Sequence, residues 1–256
     1  MSIFENYLTI SFIGIIIIVI INNTLIPLII KFGSKFKILD LPDQRKQHEV
    51  PLVRLGGLSI ATASLTTFYF LNEFALRNFI YVADSNSSKI ILLSSVLMLI
   101  LGIADDIYSL SPFPRLGLQI AMASYMWSQG ITIKSIYSFG LFSPDNVLNL
   151  SPSLSLIFTV IWIVGFTNAL NWIDGIDGLA ISLVSIALIG NLYLFSLANN
   201  HEFILFLIFV LSSCLVFMRF NLNPSRIIMG DGGCYFLGYF LAATSIIAST
   251  NENRVT

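Results

Sequence analysis

The sequence predicts an all-α integral membrane protein, a polytopic bundle of about eight transmembrane helices. Three observations predict it. Of the 256 residues, 56% are hydrophobic and only 11% charged, too few charges to wet the surface of a soluble domain of this size. Mean hydropathy is +0.85. The charges are also segregated: Asn6 to Ile30, Asn146 to Ile173 and Gly178 to Asn200 carry none, and each run is long enough to cross a hydrocarbon core that needs roughly 20 apolar residues.

Taken in order, Asn6 to Ile30 follows Glu5 with no basic n-region and no small-residue cleavage site, so it reads as an anchor rather than a signal peptide. Asn22, Asn23, Thr24 and Pro27 interrupt it, which a membrane helix tolerates when neighbouring helices take up the freed polar groups. Further spans are expected at Leu55 to Asn72, Ile90 to Ala104, Leu116 to Ile133, Leu154 to Ile173, Gly178 to Ala198, Phe203 to Met218 and Cys234 to Ser249. The shorter windows require their helices to run on into the flanking polar motifs, or the bilayer to thin. Lys134 to Ser153 has the length for a hairpin or an interfacial helix. No linker, low-complexity tract or internal repeat divides the chain, so it reads as one domain, 1–256. Cys214 and Cys234 lie in apolar runs and are read as packing residues rather than a disulfide pair.

A net charge of −1 argues against a nucleic-acid partner, but the distribution of charge says more than its sum. Eight spans sort the loops into two sets. Lys31, Lys35, Lys37, Arg45, Lys46, Arg54, Arg115, Arg219 and Arg226, nine of the 13 basic residues, fall on one side. That side is expected to be cytoplasmic, with both termini outside. The polar motifs fall there too, in loops near 31–56, 105–116, 171–178 and 220–234.

Asn168-Ala-Leu-Asn-Trp-Ile-Asp-Gly-Ile-Asp-Gly-Leu-Ala180 sets Asp174 and Asp177 between two charge-free runs, with Asn168 and Asn171 on one helical face at a spacing of three. The glycines after each Asp let the backbone turn tightly toward a ligand. Asp105-Asp106 ends the third span, and two adjacent acids near a bilayer are costly without a cation. Asp231 sits in Met-Gly-Asp-Gly-Gly, again between apolar runs. Each acid alone could be a helix cap. Three acidic clusters on one face instead form an oxygen-rich site suited to Mg²⁺, held by one or two carboxylates and substrate phosphates. No Cys/His set suits zinc. In the basic loop, orientation bias accounts for lysines and arginines by itself, whereas Arg45, Lys46 and His48 ahead of Gly56-Gly57 make a set that can hold phosphate and let backbone approach it.

Asp40-x-Pro-x-x-Arg-Lys-x-His-x-x-Pro-x-x-Arg-x-Gly-Gly, Asp105-Asp106 before Leu-Ser-Pro, the Asn168 to Ala180 motif and Asn221 to Gly233, four motifs in order over nearly the whole chain, resemble the polyprenyl-phosphate N-acetylhexosamine-1-phosphate transferases. That resemblance implies transfer of a sugar 1-phosphate from a UDP-sugar to a polyprenyl phosphate with release of UMP, at the cytoplasmic face of the plasma (inner) membrane. It implies Asp105, Asp106, Asp174 and Asp177 as catalytic positions and Asp231 as the Mg²⁺ ligand. Arg45, Lys46, His48, Arg115, Asn168, Asn171 and Asn221 are implied as substrate-binding, in the manner of the N-acetylglucosamine branch. The expected partners are a UDP-N-acetylhexosamine, undecaprenyl phosphate, the lipid bilayer and a second copy in a homodimer.

The chain also departs from the family. Ile228 stands where an aromatic residue is usual before Met-Gly-Asp, which removes an aromatic face from the expected uracil pocket, and Cys234 stands for a serine. Family members continue for further spans with a His-rich loop, so the chain is expected to be C-terminally truncated relative to them. Two other readings stay open: a non-catalytic shortened relative, and an ion-coupled transporter, which would place its acids near mid-bilayer and show related halves.

Overall fold

A computed structural model of the chain describes residues 3–41, 50–71, 86–137 and 147–252. Among these are eight helices: α1 (Ile3–Lys35), α2 (Gly56–Leu71), α3 (Asn86–Tyr108), α4 (Pro112–Ser128), α5 (Pro152–Ile173), α6 (Leu179–Leu197), α7 (His201–Asn221) and α8 (Gly230–Glu252). Six of them, α1, α3, α5, α6, α7 and α8, are long and apolar enough to cross a membrane. The all-α polytopic class expected from composition is the one observed.

Two short antiparallel pairs interrupt the helices. Strands β1 (Leu39–Asp40) and β2 (Leu52–Val53) pair ahead of α2, and β3 (Ser135–Tyr137) pairs with β4 (Val147–Asn149) between α4 and α5. The second pair is the hairpin alternative foreseen for Lys134 to Ser153.

The shorter apolar windows are completed as expected. Helix α3 runs past Ala104 to take in Asp105 and Asp106, and α8 begins at Gly230, ahead of Cys234. The fourth span is shorter than expected. Helix α4 ends at Ser128 because Gln129 is its C-cap and Gly130 takes a φ of +87°, so Ile131 to Ile133 are not helical. Within α1, the Asn22 amide N–H donates to Ser213 Oγ of α7 at 2.8 Å, while its buried Oδ1 has no partner among the described residues. Asn23 and Thr24 instead bond back to carbonyls of their own helix. Both cysteines are free and buried.

Helix α8 is the axis of the bundle. Of its apolar stretch 83% is buried, against 28% for α1, and α2, α3, α5 and α6 pack around it. Small residues permit that approach. A Cβ at Gly57 of α2 would fall on the Gly233 backbone, and one at Gly102 of α3 on the backbone of Asp231 and Gly232. The start of α2 is also joined to the segment before α8: Gly56 N–H donates to the Ile228 carbonyl at 2.9 Å and Gly57 N–H to Met229 at 2.8 Å. This corrects one reading. The Gly56-Gly57 pair spends its N–H groups on the protein and its missing side chains on helix contact, so it offers no cradle for phosphate.

Candidate active site

The head of α8 brings the distant motifs together. Gly230 can open this helix because its φ of +74° suits glycine, and a side chain there would strike the Arg54 carbonyl. The first helical N–H groups have no partner within the helix. Here carboxylates from other elements accept them. Asp174 Oδ2 accepts from Gly230 N–H at 3.1 Å, while Asp106 Oδ1 and Oδ2 accept from Asp231 and Gly232 N–H, each at 3.0 Å.

Arg54, between β2 and α2, closes this arrangement. Its Nε lies 2.7 Å from Asp106 Oδ1 and its Nη2 3.0 Å from Asp231 Oδ2. Asp231 also accepts from the Asn171 amide of α5. Adjacent residues on a helix point about 100° apart. Accordingly Asp105 turns aside from Asp106, toward α4, where Arg115 Nη1 is 2.7 Å from its Oδ2 and Tyr235 Oη donates to the same oxygen at 2.9 Å. The Leu110 N–H donates to Asp105 Oδ1 at 2.9 Å.

A cavity of about 310 Å³ opens here, lined by Asp40, Arg54, Asn171, Trp172, Asp174, Gly175, Ile228, Gly230 and Asp231. Its lining is mostly polar and charged. Burial raises the Asp174 carboxyl well above the usual carboxylate range; the Gly230 N–H and the Cys234 thiol lower it in part, and the charges of Asp106 and Asp231 raise it again.

Of the positions singled out from sequence, Asn171, Asp174 and Asp231 line the cavity, with Asp106 behind them on Arg54 and the head of α8, and Asp105 beside it on Arg115 and Tyr235. Others have different work. Asp177 accepts from Ser225 Oγ at 2.9 Å and Ser225 N–H at 3.3 Å, tying the α5–α6 turn to the segment before α8. Asn221 is buried with both amide ends on backbone, accepting from Gly178 N–H at 3.2 Å and donating to the Ile227 carbonyl at 2.9 Å. Asn168 lies one turn deeper than Asn171 and donates to Gln119 Oε1 of α4 at 2.6 Å. Arg45, Lys46 and His48 lie outside the described residues.

Sequence reasoning missed Arg54 and Tyr235 as partners of these acids, and Gln119 as the partner of Asn168. Arg54 stood in the basic loop, where orientation bias already explains a cation. Tyr235 and Gln119 follow Asp231 and Arg115 by four residues each, the spacing that stacks side chains on one helical face.

Residues 88–249 match glycosyl transferase family 4. The chain belongs to that family. It is 32% identical over 222 residues to the "Probable undecaprenyl-phosphate N-acetylglucosaminyl 1-phosphate transferase" of Bacillus subtilis, a match covering 86% of this chain and 58% of the relative. It is 27% identical to the decaprenyl-phosphate N-acetylglucosaminephosphotransferase of Mycobacterium leprae, over 85% of this chain and 56% of the relative. With the phospho-N-acetylmuramoyl-pentapeptide-transferase of Streptococcus uberis it shares 28% identity, over 90% of this chain and 71% of the relative. The chain thus spans little more than half the length of the first two. Membership of glycosyl transferase family 4 agrees with the resemblance carried by the four motifs.

Proposed function

We propose that this chain transfers N-acetylhexosamine 1-phosphate from a UDP-sugar to a polyprenyl phosphate, releasing UMP, as the first step of a lipid-linked cell-envelope glycan. The observation that carries this reading is the convergence at the head of α8 of Arg54, Asp105-Asp106, Asn171 with Asp174, and Asp231, from segments far apart in the chain. The names of the relatives within family 4 support it.

The chemistry suits such a site. An oxygen of the lipid phosphate attacks the β-phosphorus of the UDP-sugar, the bond from that phosphorus to the bridging oxygen breaks, and UMP leaves. One phosphoanhydride replaces another, so positioning and charge neutralisation matter more than covalent help. Arg54 and Arg115 are pinned by carboxylates and bring fixed positive charge to a place where two anions must meet. Asp105, held by Arg115 and Tyr235, positions the lipid phosphate and takes up its proton.

Mg²⁺ is the cofactor this reading requires. Among the described residues no three His, Cys, Asp or Glu side chains gather as a metal-holding group. Single hard carboxylates next to space for phosphates are the donor set that Mg²⁺ takes. Asp231 would hold it, and the bound ion would supply neutralisation of the transferring phosphates. The nine-to-four division of basic residues supports a cytoplasmic site in the plasma membrane, with both termini outside. A transporter would carry its acids near the middle of its spans. Here they stand in the last turn of α3, at the C-cap of α5 and in the first turn of α8.

The deciding assay supplies the purified chain with UDP-N-acetylglucosamine, undecaprenyl phosphate and Mg²⁺. UMP should appear with an equal amount of lipid-linked sugar phosphate. Sugar-nucleotide binding without UMP release identifies a non-catalytic relative, and absence of binding overturns the reading.

A further inference from the structure

Three tryptophans occur in the chain, and two of them are tied down. Trp127 donates its indole N–H to Ser155 Oγ at 3.1 Å and Trp162 to Ser245 Oγ at 3.0 Å. Trp172 is different. It is 82% exposed, and among the described residues its indole N–H has no partner and its ring no aromatic neighbour. An interfacial belt of tryptophans accounts for exposure at a helix end. It does not account for this ring lining a polar cavity beside Asp174 and Asp231.

The backbone that carries the ring is fixed from both sides in sequence. Asn171 before it donates to Asp231, and Asp174 two residues after it accepts the Gly230 N–H, so the last turn of α5 is fastened to the head of α8. A flat apolar face thus stands ready at the edge of a charged site. Trp172 is the aromatic residue of the lining, and Ile228, the other large apolar group there, is aliphatic.

We propose that Trp172 is the stacking platform for the nucleobase of the donor nucleotide, a role that rests on the transferase reading given above. The base is the part of a nucleotide sugar that is flat and gains from an indole face, and stacking needs no base-specific hydrogen bond. With the base on Trp172, the phosphates extend toward Arg54 and Asp231 on the same cavity wall. Recognition by stacking is tolerant, so this platform supplies affinity for a nucleotide and leaves the choice of base to the polar lining.

The test uses the full chain in detergent with UMP as the probe. Trp172→Ala should weaken UMP binding by about tenfold or more, and Trp172→Phe should restore it to within a few-fold of the unaltered chain. Binding of inorganic pyrophosphate, which has no base, should be the same in all three; a general disturbance of the site would weaken it as well. A chain carrying Trp127→Phe and Trp162→Phe retains Trp172 as its single tryptophan, and its fluorescence should be quenched by saturating UMP. Unaltered UMP affinity in Trp172→Ala, or no quenching at saturation, overturns the platform while leaving the transferase reading standing. Failure of the unaltered chain to bind any uridine nucleotide overturns both.

Discussion

Asp106 of α3 accepts the backbone N–H of Asp231 at 3.0 Å, so a carboxylate at the end of one helix serves as the N-cap of another. The same side chain is fully buried and paired with Arg54. Asp106→Ala removes a cap, typically worth about 1 kcal/mol, and leaves the part-exposed Arg54 with Asp231 as its remaining ion-pair partner among the described residues. Melting in detergent should fall by several degrees, and transfer should fail with it. An unshifted melting curve would mean that the cap is formed by something else.

Asp231 and Asp105 should separate by phenotype. Asp231→Asn is expected to abolish UMP release and to raise the Mg²⁺ concentration needed for any residual rate. Asp105→Asn should lower kcat with little change in Mg²⁺ dependence or UMP affinity. Titration of UMP release with Mg²⁺ for each variant is the measurement, and wild-type rates from both would remove the acids from the reaction.

Helix approach at α8 should tolerate no methyl group at Gly57. A Cβ there meets the Gly233 backbone, which has no side chain to swing away, whereas one at Gly190 of α6 meets nothing within 4 Å. Overpacking of this kind costs about 1 to 3 kcal/mol or prevents assembly. Gly57→Ala should therefore lower the yield of monodisperse protein on size exclusion, with Gly190→Ala behaving as the unaltered chain.

Ile228 lines the cavity together with Trp172. Ile228→Phe adds a second aromatic face and should tighten uridine-nucleotide binding, by up to about tenfold on the scale of base–aromatic stacking. An unchanged dissociation constant would place the base away from this residue.

Orientation in the membrane can be read with a single thiol. Ser109 is exposed just beyond α3 at the site end of the bundle, and both native cysteines are buried. In intact cells Ser109→Cys should resist an impermeant maleimide and react only after permeabilisation. Labelling from outside would invert the topology and the site with it.

Much of the fold could be read from hydropathy because a bilayer punishes unpaired charge, so the charge-free windows found the helices. The windows stopped short of the helix ends, as their lengths required. They stopped at Ala104 and resumed at Cys234, yet α3 reaches Tyr108 and α8 starts at Gly230, since an acid continues a helix when another element supplies its partner. The acids themselves were legible as clusters too costly to lie unmatched. Their partners were not. Whether Arg54 orients the chain or neutralises Asp106 depends on which helices are neighbours, and a single sequence does not contain that adjacency. Trp172 was hidden for a related reason: hydropathy counts it as one more span residue, and only the direction of the last turn of α5 sets it against the cavity.

The head of α8 has no capping side chain of its own, and that bears on the order in which the protein can be made. Ribosomes deliver α3 and the α5–α6 turn first, so Asp106 and Asp174 enter the membrane edge before the N–H groups they will accept exist. Arg54, earlier still, can hold Asp106 in the interval. Until α8 arrives, the nascent bundle carries carboxylates at its rim without their final partners, a marked and accessible polar defect. Insertion of α8 removes that defect and completes the cavity in the same event, so a chain interrupted before Gly230 should be recognised by membrane quality control as unfinished rather than persist as a partial bundle.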